Sequence, residues 1–274
     1  MGRAKEIIVK VIPSKLANEF VKQHHYSGSF VQNSTLHFGC FLDDKLHGVM
    51  SYGNSITKSK VLPLVQPCLW NEMLELNRMA FDEYLPKYSE SRCIAISIRL
   101  IKKNAPHIKW VLSYSDASQC GDGAIYRASG FYLTGIKENK AIGKLPEGET
   151  INRVTISLNK WSPYLLSLAK KYGVNKKTGV INRWYHVGLK WITGYQLRYI
   201  YLIDKSCKIT VPILHFSMID KIGARMYKGE KITLAERQIN AAVAHTGEQL
   251  TTSQEGAFDS TLPLNLQAKN RQHG

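Results

Sequence analysis

"LELNRMAFDEYLPKYSESRCIAISIRLIKKNAPHIKWVLSYSD", residues 74–116, decides how the chain is built. Residues 74–79 read as a strand, and residues 82–89, with Pro86, as a loop. The next run is ambiguous. Ile94, Ile96, Ile98 and Leu100 alternate as in a strand, whereas Ile94, Ile98 and Ile101 recur as on one helix face. The length of the run, its basic end at Arg99, Lys102 and Lys103, and Pro106 just beyond predict a helix over residues 90–103. Residues 108–115 then read as a buried strand that stops at Asp116. Polar groups at the carboxyl end of a strand in an open α/β sheet face the crevice where ligands bind. An Asp in that place also begins turns by bonding its own backbone, so Asp116 has two readings.

Outward from this stretch, residues 6–12 (EIIVKVI) form a short strand. Residues 14–25 form a helix with Leu16, Phe20 and Val21 on one face and Ser14 as its N-cap. Residues 36–42 and 46–53 alternate around Asp43-Asp44-Lys45, a hairpin signal. Downstream lie a short helix (124–129) closed by Gly130, then strands at 131–136 and 150–158. This order predicts a mixed α/β fold with a mixed sheet, not a doubly wound one. After residue 158 the character changes. Residues 161–172 are an amphipathic helix and 174–179 (VNKKTG) a basic turn. Trp184, Tyr185, Trp191, Tyr195, Tyr199 and Tyr201 then interleave with Arg183, Lys190, Arg198 and Lys205. Strands are expected at 198–204 and 209–214, and residues 231–274 read as a mostly disordered tail with a helical start at 234–243.

The chain has 274 residues, 44% of them hydrophobic, enough for one large domain or two modest ones. No apolar run approaches the roughly 20 residues that span a bilayer, and no signal peptide is read at the start. The five cysteines are dispersed without a CxxC pair and read as reduced thiols of a cytoplasm. The histidines show no zinc spacing, so a pure zinc site is not expected; iron or another metal acting through His25 or Asp116 stays open, with no ligand set evident in the sequence. The formal net charge of +16 is the strongest global signal. Such a field attracts polyanions, and nucleic acid is the partner it implies.

Four local constellations stand out, each beside a plainer reading. Asp116 orients an amine or acts as a base, or caps a turn. His24-His25-Tyr26-Ser27-Gly28 places two imidazoles and a phenol in one loop, for proton transfer or as a helix end complementing its dipole. Residues 85–92, with Lys87, Ser89, Ser91 and Arg92, hold an anion at a helix start or cap it; Glu90 and the lack of glycine weigh against a tight pyrophosphate cradle. Arg183, Lys190 and Arg198 among aromatics bind phosphates and bases, or the aromatics fill a core. There is no GxGxxG, no GxxxxGK[ST] and no Pro-Pro tetrad of adenine methyltransferases.

With these residues in place, "HHYSG", "LHFGCFLDDKLHGVMSYG", the stretch from Leu74 to Gly135 and "RYIYLIDKS" resemble the Mom family of phage DNA-modification proteins, whose fold is similar to that of GNAT acyltransferases. The likeness runs from about residue 10 to residue 212. It implies a mostly antiparallel sheet flanked by helices over residues 1–160, a basic aromatic-rich extension at 161–230 that contacts nucleic acid, and the tail at 231–274. It also implies transfer of a carbamoylmethyl group to N6 of adenine in double-stranded DNA within the host cytoplasm, shielding phage DNA from restriction. Carried over by position, Tyr26 and Asp116 lead the catalytic set, with Ser113, Ser115 and His25 supporting. Asn77, Arg78, Ser89, Ser91 and Arg92 lie around the donor. GNAT enzymes hold acetyl-CoA on a glycine-bearing helix start that is absent at residues 87–92. A glycyl-tRNA-like donor is therefore open beside acetyl-CoA, and tRNA a second partner. The alternatives are a GNAT-type N-acyltransferase for a protein or small-molecule amine, and a non-catalytic basic DNA-binding protein.

Overall fold

Two aspartates turn the central hairpin. Asp43 and Asp44 both hold positive φ (51° and 59°), a left-handed pair that Asp tolerates better than most residues and that matches the twist of a tight hairpin. They join β2 (Ser34–Leu42) to β3 (Lys45–Gly53). The computed structural model of the protein describes residues 3–117, 121–176, 179–227 and 230–231. The tail expected at 231–274, with its helical start, lies outside them except for Lys231.

Eight strands form the main sheet in the order β1-β2-β3-β5-β6-β9-β7-β8. Besides the hairpin they are β1 (Ile8–Val11), β5 (Met73–Phe81), β6 (Trp110–Asp116), β7 (Tyr132–Lys144), β8 (Thr150–Asn152) and β9 (Lys190–Leu202); β4 (Val65–Gln66) pairs elsewhere. Every neighbouring pair is antiparallel except β5 with β6. This is the mixed, mostly antiparallel sheet flanked by helices that the sequence implied.

The ambiguous stretch is a helix. After α1 (Ser14–His24) and a single turn, α2 (Lys58–Val61), α3 runs Ser89–Asn104 and buries Cys93, Ile94, Ser97, Ile98 and Ile101 at three- and four-residue spacing. That stripe packs on Met50, Tyr52, Leu76 and Val111; each buried isoleucine contributes about 1.5–3 kcal/mol. Ser97 is the polar exception, and its hydroxyl meets Tyr52 Oη at 2.6 Å. The short helix expected before Gly130 is α4 (Ala124–Ala128), and its Tyr126 joins the same core. The other face of the sheet is covered in two pieces. α1 lays Ala17, Phe20 and Val21 on Val49 and Ala80, while Val61, Leu64 and Val65 pack on Leu112 and Ile200.

The structure corrects several expectations. Ser14 is the first helical residue of α1, and Pro13 is the N-cap, without a side-chain bond. Residues 150–158 are not one strand: β8 stops at Asn152 and gives way to α5 (Arg153–Ser157). A helical turn brings both Ile151 and Ile156 into one small core, which a continuous strand would split between two faces. That core, with Trp161, Leu165, Leu168, Trp184 and Leu189, joins α6 (Pro163–Lys171) and α7 (Val180–His186). β9 is a single 13-residue strand, and of the expected strand at 209–214 only Ile209 pairs, in the two-residue strand Lys208–Ile209. β9 lies between β6 and β7, so residues 1–160 do not hold the complete sheet, and Met1–Ile232 forms one compact unit.

Candidate active site

The one parallel pair opens into a wedge. β5 and β6 are registered only from Met73↔Trp110 to Leu76↔Ser113. Beyond that, residues 77–81 stay with β3 and residues 114–116 with β9. A bulge at Asn77, where Ser51 and Tyr52 face Arg78 and Leu76, bends β5 away. Ser113 Oγ donates to the Leu76 carbonyl (3.0 Å) and closes the apex. Each strand thus turns one backbone edge towards the wedge, where an extended ligand can pair with it.

Register sorts the side chains. Partners across adjacent strands share a face, and residues along a strand alternate. Ser113 and Ser115, opposite Tyr199 and Leu197, are buried on the α3 face. Tyr114 and Asp116, opposite Arg198 and Gln196, lie on the other face with Glu75 and Arg78. Glu75 and Arg78 are three apart, and only the bulge between them brings both to one side. A polar row, Arg78–Glu75–Tyr114–Arg198, therefore fills the gap between the two apolar covers.

The row is electrostatically coupled. Glu75 is held above the usual carboxylate range by burial, against a hydrogen bond from Ser55 and the charge of Arg78. Burial, and then the negative charge of Glu75, raise the Tyr114 phenol, while Arg198 opposes them. Burial lowers the Arg198 guanidinium, and Tyr114 counters it. Arg198 lies across Gly135, where a Cβ would come within 3.3 Å of it, and donates to Thr134 Oγ1 (3.1 Å) and Thr134 O (2.7 Å). Two of its five N–H groups fix the fork, and the rest can meet a ligand.

The loop after α1 reaches this row. Arg78 Nε donates to Ser29 O (3.0 Å). His25 Nδ1 accepts the Ser27 amide (3.1 Å) and meets Ser27 Oγ at 2.8 Å, which places the proton of the neutral ring on Nε2. Burial and then the charge of Arg78 push His25 down to about 3. It is neutral near pH 7, so it does not serve there as a proton store. Tyr26 is exposed, its ring tilted on His25 with centroids 4.2 Å apart. The loop also abuts α6: a Cβ on Gly28 would meet Ser162 Cβ at 3.6 Å. Asn77 Oδ1 accepts from Ser34 Oγ (2.7 Å), and its buried Nδ2 has no partner among the described residues.

The start of α3 is tied to its surroundings. Ser89 Oγ donates to Pro86 O (2.5 Å), Ser91 Oγ to Tyr88 O (3.2 Å) and Arg92 to Lys5 O (3.2 Å). With no glycine there to let backbone approach a pyrophosphate, and Glu90 in the first turn, these residues do not fit a coenzyme A cradle. Of the basic residues expected to bind nucleic acid, Arg198 belongs to the polar row, Arg183 donates to Asn175 O (3.3 Å), and Lys190 is exposed at the far end of β9. Trp184 and Tyr199 are wholly buried core residues. Among the described residues no cluster of three His, Cys, Asp or Glu converges on a metal-sized site, and no helix is long and apolar enough to cross a membrane. Glu75 and Tyr114 are the members of the row that sequence reading left out. Tyr114 was findable, since the alternation of a strand pairs it with Asp116 and not with the serines.

Solved structures similar to this chain are acetyltransferases. One from Bacillus subtilis in complex with CoA is 10% identical over 72% of this chain and 99% of its own, with a TM-score of 0.40. The ribosomal-protein-S18-alanine N-acetyltransferase of Escherichia coli is 9% identical over 72% and 94%, with a TM-score of 0.41. At these scores neither bears on function. Methylcarbamoylase mom of Escherichia phage Mu is 33% identical over 158 residues, 57% of this chain and 64% of that protein. Residues 6–218, which hold the wedge, the polar row and the His25 loop, match the Mom protein family throughout, and the chain belongs to that family.

Proposed function

We propose that this chain is a transferase that places a carbamoylmethyl group on N6 of adenine in double-stranded DNA and so protects phage DNA from restriction in the host cytoplasm. The carrying observation is the wedge beside one coupled polar row on a single sheet face. Family membership and the name of the phage Mu relative support the chemistry, and the net charge of +16 supports a nucleic-acid substrate.

Adenine N6 is paired to thymine and its ring is stacked in the duplex, so the base flips out at a cost of a few kcal/mol. Asp116 accepts a hydrogen bond from the N6 amine and takes its proton as the new N–C bond forms. With a glycyl ester donor the new bond forms at the acyl carbon, and the ester C–O bond breaks with its electron pair leaving on the tRNA oxygen. The N6-glycyl adduct, an isomer of the carbamoylmethyl group, reaches that product by an atom-conserving exchange of its two nitrogens between its two carbons. Arg198 and the Asn77 amide offset negative charge that develops on the donor's carbonyl oxygen. Tyr26, at the rim, donates to the leaving group or stacks on the base. Ser113 and Ser115 act as supports from the other face, and His25 holds the loop as a neutral acceptor. Arg78, Ser89, Ser91 and Arg92 frame the donor's end of the wedge. The start of α3 favours a donor of the glycyl-tRNA type over acetyl-CoA, and tRNA is then the second nucleic-acid partner.

The test is mass spectrometry of nucleosides from DNA of cells expressing the protein. One hypermodified deoxyadenosine is expected with the native chain and none with Asp116→Ala, whose DNA affinity stays within about twofold. Unmodified DNA from cells making the folded native protein refutes the reading; lost DNA binding in the variant removes Asp116 from the chemistry.

A further inference from the structure

The cations of this chain are not spread evenly along the sequence. Between residues 137 and 190 there are eleven Lys and Arg against three Asp and Glu. All three acids are already engaged: Glu138 with Lys140 (3.0 Å), and Glu147 and Glu149 both with Lys171. Lys144 and Lys190 stand directly opposite each other where β7 pairs with β9. Like charges in that position cost roughly 0.2–1 kcal/mol. Arg153 lies over the Trp191 ring, 5.3 Å from its centroid, and Trp191 meets the half-exposed Tyr185 edge-on and donates to its hydroxyl. No carboxylate among the described residues is within ion-pair distance of Arg153 or Lys190, and both are exposed.

We infer that this end of the β7–β9 ribbon, Lys144, Arg153, Tyr185, Lys190 and Trp191, is the docking surface for the phosphate backbone of the DNA duplex. The inference rests on the DNA-modification reading and relocates its contacts: Arg198 stays in the polar row, and Arg183, bonded to Asn175 O, is not needed. The ligand that suits a cross-strand lysine pair with an exposed arginine nearby is a polyanion. The Trp–Tyr pair adds a surface on which sugar or an unstacked base can lie. The module that carries Arg153 and Tyr185 also carries Ser162, which sits against Gly28 of the loop containing His25 and Tyr26. A duplex held here lies on the ribbon whose strand β9 runs on to Arg198 of the candidate site.

The experiment is fluorescence polarisation of a labelled 20-base-pair duplex over a salt series. It compares the native full chain with Lys190→Ala, Arg153→Ala/Lys190→Ala and, as a charge-matched control, Lys102→Ala/Lys103→Ala at the exposed end of α3. Each phosphate contact contributes about −0.9 to the slope of log K against log salt. The Arg153/Lys190 pair is therefore expected to make the slope shallower by about 2 and to weaken binding at least tenfold for every duplex sequence. Lys190→Ala alone gives about half that change in slope, and far-UV circular dichroism checks that each variant is folded. An unchanged slope in the single and double variants, or an equal change in the α3 control, overturns the assignment. So does a loss confined to tRNA with duplex binding intact. If these changes appear while cellular DNA carries no modified adenine, the docking surface stands and the modification reading falls.

Discussion

Titration of His25 gives a sharp test of the loop geometry. Its imidazole is held at about 3 by burial and by Arg78, against about 6.5 in an unfolded chain. Below 6.5 the unfolded state takes a proton that the folded state refuses. The unfolded state then binds more protons, and stability falls as pH falls from about 7 towards 3. At pH 5 the linkage integral gives about 2 kcal/mol, and at pH 8 almost nothing. His25→Asn keeps an acceptor for the Ser27 amide and removes the titration. Urea unfolding at pH 8 and pH 5 isolates the effect, because the other histidines cancel in the difference. The native chain should lose about 2 kcal/mol more than the variant between those two pH values. Parallel losses would show that the ring is free to protonate in the folded state, and the Arg78–Ser29 clamp over it would be wrong. Modification activity at pH 8 should survive in His25→Asn, because a ring neutral at that pH contributes its acceptor and not its proton; abolished activity would return the imidazole to the chemistry.

Other perturbations follow from the same geometry. Ser113→Ala leaves the Leu76 carbonyl one bond short at the apex of the wedge and should cost about 1–2 kcal/mol in urea unfolding; unchanged stability would mean that the hydroxyl does not close the pair. Gly123 has φ +66°, and a Cβ there would lie 2.7 Å from the ring of the wholly buried Tyr199. Gly123→Ala should therefore cost about 2–4 kcal/mol, combining left-handed strain with overpacking, and a change below about 1 kcal/mol would refute the contact. Glu75→Gln should be more stable than the native chain at pH 8 yet less active. A carboxyl whose folded pKa is raised contributes stability at low pH and loses it as pH rises above the ordinary carboxylate range. A variant less stable at pH 8 would mean that Glu75 is a satisfied structural carboxylate.

The sequence made the elements legible wherever a local period or a turn chemistry dictates them. Asp43-Asp44 marks the hairpin, and Ile94, Ile98 and Ile101 mark α3 against the competing alternation of Ile96 and Leu100. It failed where the decisive quantity is not local. Residues 150–158 carry apolar side chains compatible with either period, and the small core around Trp161 and Trp184 decides for a helical turn. β9 inserts between β6 and β7, and strand order has no local signature. The change of character near residue 158 falls inside a second core that runs from Leu145 to Leu189, and β9 then returns the chain to the first.

The candidate site depends most on one such non-local quantity, the bulge at Asn77. By simple alternation Glu75 shares a face with Asn77, and Arg78 with Leu76; the chain from which "LELNR" is read offers no reason to think otherwise. One extra residue against Ser51 and Tyr52 reverses this. It turns Arg78 to the side of Glu75, brings its guanidinium to the His25 loop, and bends β5 off β6 so that the wedge exists. Deleting Asn77 would make Tyr52↔Leu76 and Ser51↔Arg78 consecutive, regular pairs, keeping Arg78 on the face of Glu75 but removing the bend that carries β5 away from β6. The opening between the strands and the polar row beside it are thus one structural event, and this is why no subset of residues read along the chain could have assembled the site.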